Sequence, residues 1–297
     1  MPTRSSRPAS QEPFVLSTSP ERSSFPIVTM AAVATSAEYK EEVPSLSELQ
    51  ERRAHECRLT ADRGLETLDD AADLLRDRGL LTRTTDCALP SLHEACDEEP
   101  YRPGAGGFGE WPRTKWWWGF ALARRDDVYA VKIHRGKTLF LSTEAAALAD
   151  PICRAEIARM EAEDERWGLL LRHLGNTGPS LAEDVQRELQ LTPKELKAIR
   201  SPLERCGAIV GRLVPVPGKE DDSVTELVRW DHLHPDASVR GGLDELVLAG
   251  VRAAVVCPER EPRRWFSWNW LWRDELIDRL VGEQRLTRPE PGWLALP

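Results

Sequence analysis

The chain has 297 residues, 41% hydrophobic and 30% charged, with a formal net charge of −9. That length leaves room for two or three small domains with buried cores, and the acidic total excludes a protein that coats nucleic acid indiscriminately, because that mode depends on counterion release from a broadly basic surface. Six scattered cysteines without a C-x-x-C pair point to neither a zinc site nor a disulfide framework and suit a cytoplasmic protein with reduced thiols, and no run approaches the ~20 apolar residues of a membrane span.

Residues 1–45 are rich in Ser, Pro and Thr and hold few large apolar side chains, so they are expected to be disordered. Met30 is an alternative start to Met1, and the mild apolar stretch 27–33 lacks the cationic flank of a secretory signal. Residues 45–57 and 65–80 carry helical patterns, the second opened by a Thr67/Asp70 capping pair and closed by Gly79. Residues 89–95 form a turn and short helix, 101–109 a Gly-rich loop, and 116–122, 128–134 and 138–141 three strands.

The punctuation is densest from 167 to 230. A helical pattern over 167–174 stops at Gly175, and Ser180 with Glu183 forms a capping box for a second helix. After a turn at Gln190, Thr192 as N-cap, Pro193 at the first helical position and Glu195 at the third start a helix that ends near Gly207, with Pro202 kinking its second half. Strands over 208–216 and 224–230 joined by 217–222 make a hairpin. Three helices and a hairpin in this order predict a winged helix. Beyond it lie a long apolar helix or helix-strand pair over 242–256, a Trp265, Trp268, Trp272 set spaced like one face of a helix, a helix over 274–281, and strands at 285–288 and 292–296.

The third helix of the winged unit places Leu196, Ile199 and Leu203 on one face and Lys194, Lys197, Ser201 and Arg205 on the other. Between 193 and 219, Lys194, Lys197, Arg200, Arg205, Arg212 and Lys219 face only Glu195 and Glu204, a local basic stripe in an acidic chain. A solvated helix face accounts for these cations equally simply, and Glu220, Asp221 and Asp222 at the wing tip carry the wrong sign for phosphates. A second basic segment, 113–137, holds seven cations against Asp126 and Asp127. If the two pack together they form one positive groove. Its His134-Arg135-Gly136-Lys137 loop is either a phosphate contact or a plain turn, and Trp116, Trp117 and Trp118 either stack on bases or serve the core.

Leu-Pro-Ser-Leu-His-Glu-Ala at 89–95, Trp-Trp-Trp-Gly at 116–119, His-Arg-Gly-Lys at 134–137 and Thr-Leu-Phe-Leu-Ser at 138–142, followed by Gly178-Pro179 in the winged unit, make the chain resemble the AlkZ-related proteins. These are distant relatives of the tandem winged-helix DNA glycosylases that remove bulky alkyl adducts and unhook crosslinks. The resemblance covers residues 60–297 and implies an α+β fold of tandem winged helix-turn-helix units around a small β-barrel-like segment, with double-stranded DNA in a central cleft. The organisation expected is a tail over 1–45, a helical and β segment over 46–160, the winged helix over 161–232 and a winged-helix-like unit over 233–297.

The resemblance does not carry catalysis across. Relatives activate water with a Gln-x-Gln or Gln-x-Asp motif, and none of Gln11, Gln50, Gln186, Gln190 and Gln284 has Gln or Asp two positions on. Asp62, Asp69 and Asp70 lie in the matching region and are also explained as a solvated helix face. No cofactor fingerprint or metal-ligand spacing is present. The reading is a DNA-binding protein without glycosylase chemistry, against two alternatives: a glycosylase with an unrecognised site, or a protein-interaction scaffold.

Overall fold

Hydrogen bonds at helix ends set where the elements begin. The computed structural model describes residues 44–216 and 218–297, and for 219–221 only the backbone. The tail reading, Met30, the stretch 27–33, and the side chains of Glu220 and Asp221 lie outside the described residues. Helix α1 (Leu46–Glu56) opens on a Ser45/Glu48 capping box and α2 (Leu68–Arg78) on the Thr67/Asp70 box, ending at Gly79 with φ 81°. There follow β1 (Leu80–Thr82), α3 (Leu92–Ala95), α4 (Trp118–Leu122), β2 (Tyr129–His134), β3 (Lys137–Leu141) and the long α5 (Thr143–Glu163). Then come α6 (Glu165–Thr177), β4 (Ser180–Leu181), α7 (Ala182–Glu188), α8 (Pro193–Cys206), β5 (Ile209–Val216), β6 (Lys219–Arg229) and α9 (Trp230–Leu233). The chain closes with α10 (Leu243–Ala254), β7 (Val256–Pro258), α11 (Pro262–Trp265), α12 (Leu276–Gly282) and β8 (Trp293–Ala295).

One order of elements is present twice in full and once in reduced form in this α+β chain. Helix, short strand, helix, helix and hairpin run as α2-β1-α3-α4-β2-β3 and again as α6-β4-α7-α8-β5-β6. In both sheets the short first strand pairs with the last, giving the orders β1-β3-β2 and β4-β6-β5. In the third, α10-β7-α11-α12 ends on β8, which pairs with β7 and meets Thr287 through the single bridge Thr287 to Ala295. All three feed one core, in which Leu141, Leu203 and Leu294 are fully buried. α5 spans it. The fully buried Asp150 of α5 accepts from Trp230 Nε1 at 2.7 Å and from the Ser238 amide at 2.8 Å and pairs with Arg154, so the one carboxylate fastens α9 and the loop after it to the spine.

Several expected boundaries move, each for a tertiary reason. Residues 116–122 are not a strand: Trp118, Gly119 and Leu122 are buried at helical spacing, and three consecutive tryptophans carry no period that separates the two choices. Gly175 does not end α6, because a Cβ there would meet the Arg229 guanidinium at 2.4 Å; it is a packing glycine, and Gly178 terminates the helix. Ser180 is not an N-cap, since its backbone pairs with Leu227 and its hydroxyl turns to the Gly178 carbonyl. The strand expected to begin at 224 begins at Lys219. Trp265 and Trp268 are core residues but share no helix, because the Ser267 amide between them donates to Ile133 O of β2. Residues 285–288 form only the Thr287 bridge, and the β2–β3 segment is an open three-stranded sheet with no closed barrel among the described residues.

α8 keeps the bounds its caps predict, with Leu196, Ile199 and Leu203 buried and Gly207 closing it in the left-handed region at φ 82°. A Cβ on Gly207 would lie 2.6 Å from Cys153 Sγ and 3.2 Å from Ile133 Cγ2. Gly207→Ala is therefore expected to cost about 1–3 kcal/mol through overpacking, strained backbone aside. Gly282→Ala, in open space at the end of α12, serves as the control and should be neutral to mildly stabilising. Equal urea midpoints for the two variants would reject this account of the junction.

Candidate nucleic-acid interface

The two basic segments meet. Lys132 on β2 pairs with the buried Glu204 of α8 at 2.8 Å, and Arg205 of α8 lies along the β2–β3 turn, 3.5 Å from where a Cβ on Gly136 would stand. Gly211 also lacks a side chain for a reason: a Cβ there would strike Glu204 Oε1 at 2.5 Å. Between the β2–β3 sheet and the β5–β6 hairpin opens a cleft of about 680 Å³. Its walls carry six cations, Arg83, Arg124, Arg125, Lys132, Arg200 and Arg212, against Asp126 and Glu204.

These cations are not equivalent. Arg212 is paired with Glu226, and Arg125 with Asp69 and Asp127, whereas Arg83, Arg124 and Arg200 make no ion pair among the described residues. Lys194, Lys197 and Arg205 are exposed and likewise unpaired, Lys194 and Lys197 on the outer face of α8 rather than in the cleft. Of the residues expected to touch DNA, then, Arg200 and Arg212 line the cleft, and Lys194, Lys197 and Arg205 occupy the adjoining helix surface. Trp118 is buried, while Trp116 and Trp117 are exposed.

The His134-Arg135-Gly136-Lys137 loop serves a partner that the sequence pattern does not reveal. Asp86, in the coil after β1, receives Lys137 Nζ on Oδ2 and Arg135 Nη2 at 3.0 Å, and its Oδ1 lies 3.1 Å from His134 Nε2. Burial works to raise the Asp86 pKa, but the hydrogen bonding and charge of Lys137 and His134 together outweigh it and hold the carboxyl below its ordinary value. The buried His134 ring is oriented by Nδ1, which donates to the Trp265 carbonyl at 2.6 Å. Asp86, Cys87 and His134 have ligand atoms within 4.8 Å of one another. A cation placed there would displace or oppose Arg135 and Lys137, so the set fits a metal poorly. What this arrangement does chemically is fix two cations beside a smaller cleft of about 230 Å³, lined by Asp86, His134, Lys137 and Trp111. Arg83 and Thr138 line both clefts and join them.

Asp62, Asp69 and Asp70 line neither cleft. Asp70 caps α2, Asp69 pairs with Arg125, and Asp62 sits in a short 3-10 turn. Asp86 and Arg83 gave no sequence signal, since the contacts that define them are made with residues far along the chain. Compared with protein-family models, curated proteins and solved structures, the chain matches none.

His93 sits under this surface, 8% exposed, edge-on to Trp111 at 5.2 Å, with neither ring nitrogen hydrogen-bonded. Burial, reinforced by the Arg83 charge, lowers its pKa from 6.5 to about 4. The unfolded chain then takes up a proton that the folded one refuses, so this site lowers stability as pH falls from 6.5 toward 4, by up to about 3 kcal/mol. His93→Phe keeps the ring and removes the proton. The stability difference between parent and His93→Phe, followed by urea denaturation, should shift in favour of the variant across that window; a pH-independent difference would refute it.

Proposed function

We propose that the protein binds double-stranded DNA as a tandem winged-helix protein related to the alkylation-repair glycosylases, without their base-excision chemistry. The observation that carries the reading is the convergence of two basic segments of an acidic chain on one cleft, with Arg83, Arg124 and Arg200 left unpaired there. Cations without internal partners in a concave surface are suited to phosphates, which fix a duplex in register. The element order supports the winged-helix part: helix, short strand, helix, helix and hairpin, with the short strand adding to the hairpin, is how such a unit is built, and here it recurs. In the second recurrence α8 holds the place of the recognition helix, with Lys194 and Lys197 outward. No helix among the described residues is long and apolar enough to cross a membrane.

Replacing Lys194 and Lys197 together with Glu is expected to weaken duplex affinity severalfold or more and to lower the salt slope by about 0.9 for each phosphate that is no longer neutralised. Fluorescence-anisotropy titrations at several salt concentrations measure both quantities. Superimposable curves for parent and variant would remove α8 from the interface.

The lack of a Gln-x-Gln or Gln-x-Asp motif, with Asp62, Asp69 and Asp70 outside both clefts, gives a second expectation. Methylated or mustard-treated DNA incubated with excess protein in single turnover should yield no abasic sites above the no-protein control. Abasic sites that disappear in an Asp86→Asn variant would instead make the protein an enzyme and place its chemistry in the smaller cleft.

A further inference from the structure

We infer that the aromatic face beside the basic cleft is a binding site for unpaired nucleobases, which would direct the protein to DNA where bases lie outside the duplex; this rests on the DNA-binding reading above. Five side chains close a ring of contacts. Phe108 meets Trp111 at 4.8 Å, Trp111 and Phe120 each lie 4.1 Å from the Arg83 guanidinium, Phe120 meets Trp116 at 6.2 Å, and Trp116 returns to Phe108 at 5.6 Å. Tyr101 extends the ring from Phe108 at 6.1 Å. A core would hide such rings, yet Tyr101, Phe108 and Trp116 keep 50%, 48% and 38% of their surface in water.

That exposure is held in place by the backbone. The Tyr101 amide donates to Trp111 O at 2.8 Å and the Arg102 amide to Gly109 O at 2.7 Å, and Glu98 accepts from the Thr114 and Lys115 amides. The loop is therefore pinned with its rings outward, the condition under which a stacking surface loses little entropy on binding.

Arg83 supplies the second, independent observation. Its Nε and Nη2 are buried without a hydrogen-bond partner, and no carboxylate pairs with it among the described residues. Burial alone pushes its pKa down to about 10. Trp111 and Phe120 lie against the guanidinium and Nε and Nη2 are closed to solvent, so the part of its N–H edge that an incoming acceptor can reach is Nη1. Carbonyl and ring-nitrogen edges of bases and the phosphate between them are such acceptors, whereas an apolar protein surface would leave the donors empty. A strand leaving the larger cleft toward Trp111 crosses Arg83, because Arg83 lines both clefts. Rings beside cations are also how single strands are gripped without regard to sequence.

The test compares three fluorescein-labelled DNAs with the full chain: a blunt duplex, the same duplex with a short single-stranded overhang, and that overhang built from abasic residues. We expect the overhang to bind about tenfold more tightly than the blunt duplex and the abasic overhang to forfeit that gain, since base stacking is the contribution removed. A Phe108→Ala/Trp116→Ala variant should show no such preference, with the blunt duplex as reference in each case. Phe108→Leu/Trp116→Leu, which keeps apolar bulk but not the π faces, replaces it should the Ala pair not fold. Equal binding of natural and abasic overhangs, or a preference that survives both variants, overturns the inference while leaving duplex binding standing. Binding of the natural overhang DNA but not of the blunt duplex or the abasic overhang supports it and overturns the duplex reading. Absence of binding to all three DNAs overturns both, whereas a self-association that the variants abolish would make the rings a protein contact and overturn the inference alone.

Discussion

The arrangement depends on one close approach, where the chain leaves α8. Gly207 turns through the left-handed region and, having no side chain, lets Cys153 of α5 and Ile133 of β2 lie against its backbone. The carbonyl just before it accepts from Trp268 Nε1 at 2.9 Å, and the Ile133 carbonyl accepts from Ser267, so the third recurrence is fastened to the same point. Four segments remote in sequence meet there. The distance between α8 and β2, and with it the width of the basic cleft, follows from how near they come.

Charge is graded outward from that junction. Close to it the polar groups are matched in pairs, Lys132 with Glu204, and Asp86 with Arg135 and Lys137. Buried Glu204 sits one residue from exposed Arg205, so one turn of helix carries both the anchor that holds the two segments together and a cation that faces solvent. Farther along the cleft walls Arg124 and Arg200, and on the outer face of α8 Lys194 and Lys197, make no ion pair among the described residues. Desolvating a charge is expensive unless it is compensated, and Arg83, half-buried and without an ion pair among the described residues, is the exception to that matching.

How much was legible in the sequence follows from range. Thr67 with Asp70 and Thr192 with Glu195 act within three residues, and both boxes form where the pattern puts them. The basic stripe and the buried face of α8 were equally readable, because helical spacing fixes both. The first recurrence was not: β1 and β4 are three and two residues long, too short to show alternation, and they exist because a hairpin far downstream pairs with them. The resemblance implies a barrel-like segment before α5, where β1 instead completes an open three-stranded sheet. Asp86 had no local signal because its partners lie 48 to 51 residues away. Gly175 shows the converse error, a glycine that reads as a stop and is instead a seat for Arg229.

The cysteines have a different consequence. All six are free, and five are buried: Cys57 behind α1, Cys96 in the first recurrence, Cys153 and Cys206 at the Gly207 junction, and Cys257 on β7. Burial raises the pKa of each, so at neutral pH almost none carries the thiolate that reacts with alkylating or oxidising reagents. Modification of any of them has to wait for the packing around it to part. The chain thus holds a set of timers spread over its length, each recording how often one neighbourhood breathes, and Cys153 and Cys206 report on the packing at the junction that the cleft depends on.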